Sequence, residues 1–568
     1  MHLPRLVPRA ATEDSLDFFT AASPRADGGP STRSFVDLGV SEDIQQALGR
    51  AQFPRPSRVQ ELVIPAVARG ATAVVAAETG SGKTLAYLAP LASMLLRHRQ
   101  RLTQQTQEAQ QQGAPGGGGT SINEAASAAR RSHALVLCPN FALCQQVLAV
   151  AQSMRSESGA QLVSAACINA SSPPPPDAPD IIISTPAALI NFLNEAGPTY
   201  GWLWSPEGFQ AKVRHVVLDE ADLLLTKAFS KPVTQLLQLM RTGDRRRVEA
   251  KVFSELGIDK GDFDRLPRPM QQAMWQKGTP GLQEAGYRLP GGWERMEGST
   301  YGPYWRRQYL FVAATMPSIT LSDVGADIQR MFPTIEWLSS ELLHQSKPKI
   351  EHTWVAVEDT TVRAALVNAL CSDAGFSAGT AKVLVFAGTT TSADEVSALL
   401  SSEGLEHSVY HKGIAGADRE AALQAMAAPC TGSARVMVCT DAAARGLDVP
   451  DVTHVVQADF APNAIDFIHR IGRTGRAGRP GKVTSLYRAG SRAENELVTV
   501  LRLYVAEGRP LEAAFSRARS FSRKLKRSGE FVPRGYTKGQ MRGEGGSPDE
   551  GEESLEEGRS SEGVEPKP

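Results

Sequence analysis

The chain has 568 residues, of which 42% are hydrophobic and 21% charged, and its formal net charge is +0. These values exclude a wholly disordered chain and a uniformly basic nucleic-acid coat, and at about 150 residues per domain they call for more than one domain. No apolar run reaches the ~18 residues of a membrane span, and six scattered cysteines show no zinc or disulfide spacing. An intracellular protein with reduced thiols and no membrane partner is expected.

Residues 1–33 are rich in Pro, Gly, Ser and Arg, the composition of a disordered N-terminus. Arg5 and Arg9 precede any acid, which leaves a chloroplast or mitochondrial presequence open. Glu13, Asp14 and Asp17 argue against it, and the nucleus or cytoplasm stays open as well. A first domain, 34–345, begins near Phe35. Phe53 to Gln60 leads into a helix carrying Leu62, Ile64 and Val67. The apolar run Ala73 to Ala77 reads as a strand and Leu85 to Leu96 as a helix.

Between them stands Ala77-Glu78-Thr79-Gly80-Ser81-Gly82-Lys83-Thr84. Strand, glycine-rich turn and helix form the context of a phosphate-binding loop. Glycines let backbone N–H groups face phosphate oxygens, and the helix start adds a positive dipole end. Lys83 is placed to reach the β- and γ-phosphates of ATP, and Thr84 to put its hydroxyl on Mg2+. The usual first glycine of the pattern is Ala77 here.

Residues 100–132 are Gln-, Gly- and Ala-rich and read as a flexible low-complexity insertion. Strands follow at Ala134 to Cys138, before Pro139, and at Ile181 to Ser184, before Thr185 and Pro186. The run Val216 to Leu218 ends in Asp219-Glu220-Ala221-Asp222. A buried strand ending in acids fits the second half of a nucleotide-hydrolysing site. Asp219 would hold Mg2+ through water, and Glu220 would orient or deprotonate the attacking water. Residues 243–304 form an insertion rich in Arg, Gly, Pro and aromatic residues. It either packs on its own domain or faces RNA or a protein partner. Tyr309 to Ala313 is a further strand.

A second domain, 346–510, has strands at Lys382 to Ala387 and Val436 to Cys439. Gly388-Thr389-Thr390 opens a helix after the first of these. His469-Arg470-Ile471-Gly472-Arg473-Thr474-Gly475-Arg476 presents three arginines suited to bidentate phosphate contact. Residues 511–568 are basic and then acidic and read as a disordered tail.

Asp-Glu-Ala-Asp beside the phosphate loop resembles the signature of the DEAD-box ATP-dependent RNA helicases. Phe53, Pro56, Ser57, Val59 and Gln60 resemble that family's Q motif, and Thr440-Asp441 to Arg445-Gly446-Leu447-Asp448 its T-D-x-x-x-R-G-x-D motif. The resemblance implies an α/β fold of two tandem RecA-like domains with parallel sheets. It implies ATP contacts from Gln60, from the loop Ala77 to Thr84, and from Gly446 and Asp448. Phe35 stands where the family keeps an aromatic that stacks on adenine, or else it is a core residue. Pro139, Thr185, Pro186, Thr389 and Thr440 would contact RNA. Asp222, Ala313, Thr315 and His469 would couple the domains, and Arg473 and Arg476 would act as arginine fingers. Two departures stand out. Asn140, Phe141 and Ala142 replace the usual Thr-Arg-Glu, and Ala313 replaces a serine. An RNA helicase acting as a monomer on RNA, or on a ribosomal or other RNA–protein particle, is the expectation. An ATP-gated RNA clamp and a P-loop ATPase with a protein or DNA substrate are the alternatives.

Overall fold

The computed structural model describes residues 19–21, 33–111, 131–169, 172–195, 197–225, 230–278, 282, 284–286, 307–315, 324–340, 343, 345–358, 360–430, 432–441, 449–476 and 479–511. Among these described residues, fourteen strands fall into two sheets. Their ranges are β1 Phe19–Ala21, β2 Ala73–Ala76, β3 His133–Leu137, β4 Ala165–Cys167, β5 Ile181–Ser184, β6 Val213–Asp219, β7 Gln308–Ala313 and β8 Glu336–Ser339 in the first. The second holds β9 Ile350–Val357, β10 Lys382–Ala387, β11 Ser408–Tyr410, β12 Arg435–Thr440, β13 His454–Gln457 and β14 Gly481–Arg488. The strand orders are β1-β8-β2-β7-β6-β3-β5-β4 and β11-β12-β10-β13-β14-β9. Every strand pairing is parallel.

Parallel strands need crossover helices, and helices on both faces bury both sides of the sheet. The sequence obeys this with continuous runs such as Ile181-Ile182-Ile183. Alternate residues enter opposite cores: Val75, Val136, Ile183 and Val312 pack on one face, Val74, Leu135, Ile182 and Phe311 on the other. The second sheet repeats the scheme with Val383, Val385, Val436 and Val438. Because all strands run the same way, their C-terminal ends share one edge, where ligands bind in open α/β sheets. Two parallel α/β domains of the expected class are therefore present. Among the described residues, no helix is long and apolar enough to cross a membrane.

Two expectations of disorder or loop need correction. Phe19–Ala21 lies in the segment read as disordered, yet it pairs in parallel with β8. The sheet edge offers unpaired backbone groups, and Phe-Thr-Ala is a sequence that can extend to meet them. The helix read as ending near Leu96 runs from Lys83 to Gln111, into the stretch expected to be loop. Gln, Arg, Leu and Glu are good helix formers, so polar composition alone did not mark an end there. Residues 112–130 lie outside the described residues.

The 243–304 insertion starts inside a helix, Ser230–Leu256, and continues through helices Lys260–Asp264 and Arg268–Lys277. Val248, Val252, Leu256, Phe263, Met274 and Leu282 form a small core of their own. Asp259 caps the middle helix and shares a capping box with Asp262. The insertion also touches its domain: the Tyr309 hydroxyl donates to Asp244 at 2.5 Å. Its aromatic stretch at 287–304 lies outside the described residues.

Phe263 is almost wholly buried in that small core. Phe263→Ala should destabilise the insertion by about 3–5 kcal/mol. Hydrogen exchange should show faster exchange across residues 248–277 and unchanged protection in β2, β6 and β7. Protection lost equally in all of them would show that the insertion is not a separate cooperative unit.

Candidate functional site

The phosphate loop leaves β2 at Ala77, whose N–H donates to the Ala313 carbonyl at 3.1 Å. Ala77 is absent from the positive-φ positions, which in this loop are Gly80 (φ 75) and Gly82 (φ 90). Alanine therefore fits where the usual pattern has glycine, because that position asks for no left-handed backbone. Gly82 is different: a Cβ there would lie 2.5 Å from the Gln60 amide nitrogen. Lys83 is buried and donates to the carbonyls of Ala77 at 2.7 Å and Glu78 at 3.0 Å. The Ser81 hydroxyl donates to the Glu78 carbonyl at 2.8 Å, and the Glu78 carboxylate accepts from Ser340. Thr84 is half-buried in the first turn of the following helix.

Gln60 is held by the same loop. Ser57 and Gln60 form a capping box at the helix Arg58–Ala68. The Gln60 amide accepts from Ser57 N at 2.9 Å and donates to the Gly82 carbonyl at 3.1 Å. A primary amide has two donors and two acceptor sites, so one N–H and one lone pair remain for a base edge. Phe35 is fully buried in the first core. It offers no ring face for adenine in this structure, and the core alternative describes its place.

β6 delivers the acids. Asp219 is buried, and burial first, then the neighbouring Glu220 charge, push its carboxyl up to about 6. Tyr87 opposes this by donating to Asp219 at 2.8 Å. Glu220 sits in the left-handed region at φ 54, a costly conformation for a non-glycine residue and one found at functional sites. Asp222 accepts from the Thr315 hydroxyl. Its Oδ2 lies 3.2 Å from His469 Nε2, which is also 3.3 Å from the Thr315 hydroxyl. Glu220, Asp222 and His469 each bring a ligand atom within 4.8 Å of the others. Hydrogen bonding to Asp222 accounts for the position of His469 in this group. Ala313 is buried at the end of β7 and carries no hydroxyl.

His469 belongs to the second domain, on the helix Ala464–Ile471. The Gly472 carbonyl just beyond accepts from the Thr79 hydroxyl at 3.1 Å. A Cβ on Gly472 would stand 1.8 Å from that hydroxyl oxygen. The Arg476 side chain packs against Gly80, where a Cβ would lie 3.2 Å from Arg476 Cγ. Arg473 is buried, and its Nε donates to the His469 carbonyl at 3.2 Å. Arg470 serves a different purpose. It is fully buried, forms a two-point pair with Asp441 at 2.6 Å for each contact, and also donates to Gln457 and the Asp459 carbonyl. It fixes the arginine segment to the β12 and β13 ends.

Of the expected RNA contacts, Pro139 follows β3, Thr185 and Pro186 follow β5, Thr389 follows β10 and Thr440 ends β12. All lie at C-terminal strand ends. The Thr389 hydroxyl accepts from Ser392 N at 3.0 Å as a helix cap, and Thr440 is buried. Asn140 caps its helix through Leu143 N at 2.9 Å, and Phe141 beside it is 51% exposed. Gly446 and Asp448 lie outside the described residues.

Three residues at the site escaped the sequence reading. Tyr87 stands four positions after Lys83, on the same helix face, and that spacing was a usable signal. Ser340 carried no local signal. Nor did Lys347, in the stretch between the two sheets, whose ammonium donates to the Gly475 carbonyl at 3.1 Å. Burial and then the Arg476 charge push Lys347 down to about 8, with Glu78 opposing.

Two parallel α/β domains meeting over a phosphate loop, an acidic strand end and an arginine segment define a P-loop nucleotide hydrolase of the RecA-like type. Residues 57–254 match the DEAD/DEAH box helicase family, and residues 363–478 match the helicase conserved C-terminal domain. The chain is 35% identical over 516 residues to DEAD-box ATP-dependent RNA helicase 22 of Oryza sativa subsp. japonica, covering 87% of this chain and 84% of that protein. The protein of the same name from Arabidopsis thaliana is 34% identical over 522 residues, with the same coverage of 87% and 84%. The fold resembles S. cerevisiae Dbp5 bound to RNA and ADP BeF3, with TM-score 0.55 and 18% identity over 88% of this chain and 99% of that one. It also resembles Mss116p bound to ssRNA and AMP-PNP, with TM-score 0.57 and 17% identity over 91% and 86%. The chain belongs to the DEAD-box ATP-dependent RNA helicases.

Gly472→Ala should keep ATP binding within about twofold and lower RNA-stimulated turnover on the order of 10²-fold, because the added methyl blocks the closed seam. Nucleotide titration and steady-state turnover measured side by side check this. Unchanged turnover would show that the Thr79–Gly472 contact is not part of the active arrangement. Arg470→Ala should cost about 3–5 kcal/mol by leaving its buried partners unpaired, read from urea unfolding of the second domain.

Proposed function

We propose that the two domains close over ATP and RNA together, and that closure assembles the hydrolytic site. The observation that carries this is the seam itself: Thr79 bonded to Gly472, and Asp222 and Thr315 meeting His469. Groups needed for one reaction are divided between the two domains. In this reading the domains span 34–345 and 346–510. Lys83 and the loop Ala77 to Thr84 hold the triphosphate, Gln60 reads the base, and Gly446 and Asp448 face the ribose. Glu220 orients or deprotonates the attacking water. Arg473 and Arg476 stabilise the developing phosphate charge, a contribution on the order of 10³–10⁵ in other NTPases.

The buried Asp219, whose ionisation is disfavoured, suits a cation, and Thr84 supplies a hydroxyl beside Lys83 at the end of the phosphate loop. We assign these two residues to Mg2+, Asp219 acting through water. The ion, when bound, would neutralise charge on the phosphate oxygens. The chain's own residues position it: Tyr87 orients the Asp219 carboxylate.

RNA contacts come from Pro139, Thr185, Pro186, Thr389 and Thr440, mostly to phosphate and sugar, so sequence preference is small. A single strand gripped and bent in the closed cleft is pulled from its complement, and hydrolysis reopens the cleft. The enzyme acts as a monomer, inside the cell, on RNA or on an RNA–protein particle such as a ribosomal one. A second reading, an ATP-gated clamp with weak unwinding, is favoured by two observations. Phe141 stands exposed where the family has arginine, and Ala313 lacks a hydroxyl.

Steady-state turnover with single-stranded RNA, against matched DNA, tests the cycle. RNA alone should stimulate; stimulation by DNA, or by neither, counts against it. Lys83→Ala should abolish turnover. Glu220→Gln should lower it by roughly 10²–10⁴ and retain ATP binding. Ala313→Ser should leave turnover nearly unchanged and raise strand displacement, and equal displacement in both proteins would refute the role given to that hydroxyl.

A further inference from the structure

The phosphate loop and the acids occupy the C-terminal ends of β2 and β6. The opposite ends of the same strands carry a second feature. Two adjoining cavities open at the N-terminal ends of β2, β6 and β7. One is roughly 300 Å3 and is lined by Arg97, His98, Arg101, Arg131, Lys212 and Arg214, with no acid among its described lining residues. The other is roughly 350 Å3 and is lined by Arg241, Arg245, Arg247, Arg307 and Arg330, with Asp244 as its one acid among the described residues. They share a wall. Arg307 and Arg247 both donate to the Gln210 carbonyl, and Gln210 precedes the lining residues Ala211 and Lys212 of the first cavity. Gln308 lines one cavity and its neighbour Arg307 the other.

The cations exceed what holding the fold requires. Arg307 is a structural arginine: it donates to the carbonyls of Val213 at 2.8 Å and Met240 at 2.6 Å, and pairs with Asp244 at 3.3 Å. Asp244 is already used by Tyr309 and Arg307, and lies 3.7 Å from Arg247. Arg214 Nη1 and Arg247 Nη1 are buried without a hydrogen-bond partner. Burial, and then the charges of Arg214 and Arg307, hold Arg247 down to about 10. Burial and the Arg307 charge also lower Arg214. Guanidinium groups crowded until they repel one another are a site short of negative charge.

Tryptophans flank both cavities. Trp202 is 58% exposed, and the Lys212 ammonium stands 5.8 Å from its ring centre. Trp275 lines the second cavity, with the Arg245 guanidinium 4.7 Å from its ring centre. A basic track with rings beside it matches a chain that offers phosphates and stackable bases in turn. A small inorganic anion would use the arginines and leave the rings idle.

We propose that this face is a second RNA-binding surface, which holds the RNA backbone outside the cleft while the cleft grips another part of the same molecule. It rests on the reading of the protein as an RNA helicase. β6, from Val213 to Asp219, separates the two sites by roughly 20 Å at about 3.3 Å per residue. Binding at one face therefore does not obstruct the other, and the second surface needs no ATP because it does not involve the second domain.

The test uses the full chain and a fluorescent stem-loop RNA with a single-stranded extension, titrated without nucleotide and then with a non-hydrolysable ATP analogue. The variants are Arg101→Gln with Arg245→Gln, the matching pair of Lys substitutions, and Trp202→Ala. Nucleotide-free affinity should fall about tenfold in the Gln pair, and the log–log salt slope should drop by about 1.4, near 0.7 for each of the two lost charges. The Lys pair should restore the slope, which a merely structural role for these arginines would not allow. Trp202→Ala should weaken binding severalfold with the slope unchanged. Turnover stimulated by a short single strand that fills only the cleft should stay at the wild-type value in the Gln pair. Equal nucleotide-free affinity and slope in wild type and the Gln pair would overturn the proposal. So would wild-type binding seen only with the ATP analogue, an outcome that leaves the helicase reading intact. No RNA binding in either state would remove both. Tight binding of inorganic tripolyphosphate, lost in the Gln pair while RNA affinity is kept, would overturn it in favour of a small anion.

Discussion

The approach of the Gly472 carbonyl to the Thr79 hydroxyl is the constraint on which the site depends. It brings the backbone of one domain onto the phosphate loop of the other, and only a residue without a Cβ fits there. The same approach carries Arg473, Arg476 and Lys347 toward Lys83. These cations repel, and Lys347 records it: burial and then the Arg476 charge hold its ammonium down to about 8. Glu78 relieves part of this. A triphosphate would relieve the rest. In the proposed cycle, electrostatics would therefore favour closure over nucleotide.

Strand polarity decides where everything else can be. Parallel strands put all C-terminal ends on one edge, so loop, acids, coupling residues and expected RNA contacts gather there. The opposite edge is left to the crossover connections, and here it holds arginines from β6, from the residue just before β7 and from the helical insertion. One sheet can thus support two independent surfaces without either intruding on the other. The insertion matters to this arrangement. Its first helix delivers Arg241, Arg245 and Arg247 against Arg307 and Tyr309, and its small core around Phe263 and Met274 holds that helix in register.

Much of the site was legible because it is local. Ala77 to Thr84, Asp219 to Asp222 and His469 to Arg476 are continuous stretches whose chemistry does not depend on distant partners. The structure adds why Ala77 is allowed, through its ordinary φ, and why Gly82 is not replaceable, through Gln60. Long-range contacts were not legible. Lys347 and Ser340 reach the loop only through the path of the chain between sheets. Phe35 was undecidable in sequence, since a stacking ring and a core ring look alike, and burial places it in the core. The strand at Phe19–Ala21 and the helix to Gln111 were misread for one reason. Composition reports average burial, whereas an open sheet edge or the momentum of a preceding helix can order a polar segment.

The departures at Phe141 and Ala313 can be weighed by what the backbone does around them. Asn140 still caps its helix through Leu143 N, so losing the usual arginine changes a surface contact and not the placement of the segment. At Ala313 the carbonyl still receives Ala77 N, which ties the end of β7 to the start of the phosphate loop. Thr315 still donates to Asp222, and His469 still meets both. The acid segment thus remains joined to the arginine segment by a route that bypasses the missing hydroxyl. One hydrogen bond is worth about 0.5–1.5 kcal/mol net, a modest loss beside a route that keeps all its members. In the proposed cycle the link through Asp222, Thr315 and His469 would set whether the domains close, and the altered one at Ala313 would adjust how firmly closure is passed on to RNA.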